Sequence, residues 1–167
     1  LVASVLLGAS CSKTIDVAEE RRSTNEAEFR AFADSIGFER VTIPGITGTS
    51  FVYMKVTKAG DPNVPVDYTD NVHLFRDTYL TSDWRKENWN ARRIHQTLGT
   101  NAVPPEAVGS LKIGLQIAVQ NLHEGAEATV VIPWYLNNIN TTTERTEAYT
   151  SLYVRLHLAK VIKPATN

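Results

Sequence analysis

Residues 113–133, IGLQIAVQNLHEGAEATVVIP, change their apolar period halfway along, and that change sets the architecture. Leu111, Leu115, Ala118, Val119 and Leu122 recur at i, i+4, i+7, i+8 and i+11, the spacing of one helical face. Gly125 stands where such a helix should stop. The β-branched run Thr129-Val130-Val131-Ile132 then reads as a strand, with Pro133 at its edge. Further on, residues 151–162, SLYVRLHLAKVI, alternate cleanly. Leu152, Val154, Leu156 and Leu158 share one side, and Tyr153, Arg155, His157 and Ala159 the other. A short buried helix, a strand after it and an amphipathic terminal strand predict a half-open sheet wrapped round a helix.

Working outward, residues 51–57, FVYMKVT, alternate as another strand after the turn at residues 47–50. The breaker cluster Lys58-Ala59-Gly60-Asp61-Pro62 ends it, and residues 70–80, DNVHLFRDTYL, form the next strand. Residues 82–110 carry two Trp, several Arg and Lys, and the stretch Ala102-Val103-Pro104-Pro105, the composition of a flap or insertion. Toward the N-terminus, Ser23-x-x-Glu26 has capping-box form, and Phe29, Phe32, Ala33 and Ile36 fall at i, i+3, i+4 and i+7. That pattern predicts a helix over residues 24–36, stopped by Gly37, with residues 12–22 as a tether leading into it.

A chain of 167 residues can bury one sizeable core and is most simply one domain plus extras. With 17 basic and 18 acidic residues, net charge −1, no electrostatic case exists for nucleic acid as a partner. His73, His95, His123 and His157 show no close ligand spacing, so no metal is expected. Neither a nucleophile elbow nor a glycine-rich phosphate loop is present, and no cofactor is expected. Residues 1–9 are apolar and end in small residues before Cys11, the only cysteine. This is the pattern of a lipoprotein signal remnant over residues 1–10, with Cys11 the lipid attachment point. The run is too short to span a bilayer, and a lone cysteine cannot close an internal disulfide. The expectation is a bacterial cell-envelope protein, on the periplasmic or outer-membrane face, touching the membrane only through its lipid anchor.

The order of these elements and their glycines resembles the FKBP-type peptidyl-prolyl cis-trans isomerase domain. In that family a helix of form G-W-x-x-G-L-x-x-M-x-x-G leads into a strand ending I-P, and the domain closes with T-L-x-F-x-V-x-L. Gly114, Leu115, Ala118, Val119, Leu122, Gly125, Ile132 and Pro133 stand at the first set of positions and residues 151–158 at the second. Residues 50–60 match the family's early strand, and Asp70, Val72, Leu74, Tyr79 and Leu80 match its D-x-V-x-V-x-Y-T-G-x-L strand. The resemblance implies an α+β fold: an FKBP-like twisted antiparallel sheet of about five strands wrapped around a short helix over residues 111–122, with an added N-terminal helix. It divides the chain into the signal remnant, a tether and N-terminal helix at residues 11–46, and an FKBP-like domain at residues 47–163. Residues 82–110 form a divergent flap within that domain.

Rotation about an X-Pro bond faces a barrier of roughly 18–20 kcal/mol, and its transition state is a twisted amide. A catalyst needs no nucleophile, only an apolar cavity that grips proline, excludes water and offers donors to the carbonyl oxygens. The resemblance implies aromatic walls for that cavity. At the matching positions this chain has Arg76 for a strand Tyr, Leu115 for a floor Trp, Asn138 for a loop Tyr and Val154 for a last-strand Phe. Ser82-Asp83-Trp84 stands where a Phe-Asp pair is expected. Leu111, Leu115 and Val154 would make a shallower floor, and Trp84, Trp134 and Tyr135 are spare rings able to rebuild a binding surface. Two functions follow. The first is an envelope isomerase or chaperone acting on proline-containing peptides or unfolded envelope proteins, weak or inactive (a pseudoenzyme) for want of its rings. The second is a non-catalytic peptide- or partner-binding module on the same scaffold.

Overall fold

The computed structural model describes residues 10–46, 48–84, 86–139, 141–144 and 146–165, with side chains from residue 17 onward. Of the signal remnant at residues 1–10, residues 1–9 lie outside the described residues, as does the side chain of Cys11, and Ser10 is the first residue of a helix. Helix α1 (Ser10–Arg30) runs into a 3-10 turn at Ala31–Asp34. Strands β1 (Glu39–Val41), β2 (Val52–Lys58), β3 (Asn71–Leu80), β4 (His95–Gln96) and β5 (Glu106–Ala107) follow. Helix α2 (Ile113–Gln120), β6 (Glu127–Ile132) and β7 (Leu152–Ile162) complete the order. All pairings are antiparallel, in the order β1-β2-β6-β7-β3-β4, with β5 also on β3. The consecutive strands β2 and β3 are thus separated by β6 and β7, so the chain between them crosses the sheet rather than closing a hairpin.

The sheet separates two kinds of core. On the α2 side, Val52, Met54, Val72, Leu74, Val130, Ile132, Val154, Leu156 and Leu158 meet Ile117, Ala118 and Val119 of the helix. No ring enters this cluster of buried residues. On the α1 side, Tyr53, Tyr79, Val131 and Tyr153 meet Phe29 and Phe32, with Phe38, Phe51, Trp84 and Trp89 packed against them. Side-chain parity does this sorting: Val154 and Tyr153 are neighbours in β7 and point to opposite layers. Gly114 lets α2 sit directly on β6, because a Cβ there would run into the side chain of Ile132. Gly125 adopts φ +82°, the left-handed conformation open to glycine, and its N–H donates to Leu158 O at 2.7 Å.

The strands stand where alternation put them, and the helices differ from expectation. Helix α2 spans Ile113–Gln120 rather than residues 111–122, because Lys112 is extended (ψ 145°) and the chain turns after Asn121. Leu111 and Leu122 are buried just outside the two helix ends. Helix α1 begins much earlier than residue 24, and Ser23 lies within it rather than capping it. Glu26 instead bridges Arg22 at 3.0 Å and Arg30 at 3.4 Å, four residues to either side. The predicted helix over 31–36 is a 3-10 turn ending at Ser35, followed by Gly37 at φ +79°. Seven strands replace the five expected, the additions being the short edge strands. Among the described residues no helix is long and apolar enough to cross a membrane.

Candidate functional site: the Arg76–Glu106 pair

Even-numbered residues of β3 face α2: Val72 and Leu74 are fully buried in the aliphatic core, and Arg76 continues the same row. Its backbone is clamped by the flap. The Arg76 N–H donates to Thr97 Oγ1 at 2.7 Å, and the Thr97 N–H donates back to Arg76 O at 2.8 Å. From this anchored position the guanidinium donates to both carboxylate oxygens of Glu106, at 2.6 and 3.2 Å. Glu106 belongs to β5 and lies opposite Val72 in register. The two side chains are only 17% and 34% exposed, so the pair is a forked, charge-assisted contact in a partly desolvated place.

Around this pair the flap adds further charge. Burial, and after it the positive charge of Arg76, pushes the His95 imidazole below its ordinary range, while Glu106 and Asp77 pull it the other way. Asp77, itself buried, accepts from Arg93 at 3.1 Å and from the Leu98 N–H at 3.2 Å. Asp77 and Thr97 therefore tie the flap to β3 on either side of Arg76. Among the described residues, no group of three or more His, Cys, Asp or Glu side chains is placed to hold a metal ion.

The residues expected to form the proline floor divide. Val154 pairs with Thr78 in register, one step from the Arg76–Leu156 pair, but is 1% exposed and belongs to the sealed core. Leu111 is likewise buried, and Leu115 is half-buried against the same cluster. Asn138 sits exposed in the loop after β6, in left-handed conformation at φ +57°.

The spare rings go elsewhere. Trp84 stacks on Tyr153 at 4.4 Å and 9°, and lies 6.0 Å from Phe32. Trp134 packs edge-on against Tyr149 and Tyr135, its indole N–H reaches Glu26 of α1 at 3.4 Å, and Arg22 lies over its ring. These rings therefore do not gather beside Arg76; they lie on the α1 side of the sheet. Burial, and next the charge of Glu26, raises the Tyr135 phenol above its ordinary range. Sequence reasoning missed Glu106 and Thr97, which lie in a flap without a period. The only local cue, Pro104-Pro105 before Glu106, suggests an extended approach but names no partner.

With this geometry in place, the class of the fold is clear: the protein has an FKBP-like α+β fold. No protein-family pattern and no curated protein matches the sequence. Solved structures do. A peptidyl-prolyl cis-trans isomerase from Pseudomonas syringae pv. tomato superposes with TM-score 0.66 at 17% identity, over 87% of this chain and 96% of that one. FkpA from Escherichia coli gives TM-score 0.65 at 16% identity, over 95% of this chain and 75% of its own. The N-terminal domain of FKBP42 from Arabidopsis thaliana gives 0.55 at 16% identity, over 73% and 99%.

Proposed function

We propose that this protein is an FKBP-like binding module of the bacterial cell envelope, acting on proline-containing segments with weak or no isomerase activity. The fold supports the peptide-binding part, since its solved neighbours include peptidyl-prolyl isomerases. The observation that carries the rest is the Arg76–Glu106 pair. A prolyl ring is gripped by a desolvated apolar wall, and a hydrated or ion-paired guanidinium at that place cannot favour the twisted amide by excluding water. The Val154 floor is closed rather than open. Attachment through a lipid on Cys11 completes the proposal, on the strength of the apolar residues 1–9 and the small residues before that cysteine.

A prolyl cis/trans assay on a short peptide tests it. The unmodified protein should stay within about tenfold of the uncatalysed rate, while the paired change Arg76→Tyr with Glu106→Gln should raise the rate by restoring a ring without orphaning a carboxylate. An efficient wild-type isomerase would refute the weak-site reading. Labelling cells with a fatty-acid probe tests the anchor: label on the natural protein and none on Cys11→Ser is the expected result.

A further inference from the structure

A cleft lies on the α1 side of the sheet, away from Arg76. It holds about 400 Å³ between α1 and the turn that follows β6. Phe29 and Phe51, their ring centres 5.7 Å apart, line it together with Trp134 and Tyr135, whose planes are nearly perpendicular at 86°. Tyr135 is 40% exposed.

The rim has more donors than acceptors. Glu26 is the one acidic residue lining the cleft, and both its oxygens are already engaged, by Arg22, Arg30 and the Trp134 indole. A guanidinium carries five N–H donors, and Arg22 and Arg30 each give Glu26 one. Their side chains are 47% and 74% exposed, so the remaining donors face solvent. Arg40 adds a third guanidinium, 4.2 Å above the Phe51 ring. Two guanidiniums thus flank the one carboxylate that lines the cleft, and Arg40 stands over its Phe51 wall, in a chain whose overall charge is −1. The positive rim is a local feature.

We infer that this cleft binds an extended, acidic, proline-containing segment of a partner protein, its proline rings against Trp134 and Tyr135 and its carboxylates on the arginine rim. Ring-lined grooves suit the polyproline conformation because the segment is already ordered and loses little entropy on docking. Concavity favours a chain segment over a lipid surface, which a flat basic face would meet. The inference stands on residues separate from the Arg76–Glu106 pair and does not depend on the function proposed there.

Titration of the folded protein with a fluorescent peptide of repeating Asp-Pro-Pro tests it, with repeating Lys-Pro-Pro and Asp-Ala-Ala as comparisons. The acidic proline peptide should bind at least about fivefold more tightly than either, and should shift the Trp134 indole N–H resonance. Arg30→Glu and Tyr135→Ser, both at exposed positions, should each weaken it by about fivefold or more. Equal binding of the three peptides, or no effect of either variant, would overturn the inference. So would resonance shifts confined to Arg76, Leu111 and Leu115, which would place the peptide on the other side of the sheet. Binding to phosphatidylglycerol vesicles with no peptide binding would assign the rim to a membrane and overturn it as well.

Discussion

The two faces of one sheet differ in chemistry as much as two proteins might. Toward α2 the buried residues are aliphatic and close-packed, and the one long polar side chain of the central row, Arg76, is held by Glu106. Toward α1 the layer is built of rings, with Phe29, Phe32, Tyr53, Tyr79 and Tyr153 at its centre. In the fold this chain resembles, aromatic walls are expected on the α2 side. Here they lie behind the sheet, where they fasten an N-terminal helix. The glycines and the alternation of the scaffold are kept on the aliphatic face, while its rings gather on the other.

The comparison can be broken first at its strongest point. Ile117→Ala removes a fully buried side chain of α2 from the aliphatic core and should cost about 2–5 kcal/mol of global stability in urea denaturation. Phe32→Ala should cost about 3 kcal/mol, but with a different signature. Amide exchange should quicken in α1 and its 3-10 turn before it does in β6 and β7. Uniform acceleration across the sheet would mean that the two layers are one cooperative unit rather than a core with a docked helix.

Smaller effects sharpen the picture. Asn25 is buried in α1 and its amide donates to Thr150 Oγ1 at 3.4 Å and to Ala148 O at 3.5 Å, so Asn25→Ala should cost about 1 kcal/mol. His95 supplies a pH signature. Its folded value lies below 6.5, chiefly through burial and then through Arg76. Between that lowered value and about 6.5 the unfolded chain binds more protons than the folded one, and stability should rise with pH across that window. His95→Gln should flatten the rise; an unchanged slope would show that His95 does not sit beside Arg76 in solution.

Much of this was legible in residue order. Strands β2, β3 and β7 are long enough for the period of two to show, and β6 is marked by its β-branched run Thr129-Val130-Val131-Ile132. Strands β4 and β5, of two residues each, are too short to carry any period and exist because β3 offers an open edge. The first half of α1 escaped notice because its sequence carries no apolar period; the second half is held by the Arg22–Glu26–Arg30 ladder and by the docking of Asn25 and Phe29. The register that set Arg76 on the α2 face could be read from Val72 and Leu74. Its partner could not: Glu106 is 30 residues away across the flap, and pairing at that distance leaves no local pattern.

A paired charge, rather than a ring, stands in the central row of the α2 face of the sheet. A double-mutant cycle tests it most directly, with Arg76→Met, Glu106→Gln and the combination each measured by urea unfolding. The forked geometry and partial burial predict a coupling of about 1 kcal/mol, with the double variant more stable than the sum of the single losses implies. A coupling below about 0.3 kcal/mol, with strictly additive losses, would contradict the account.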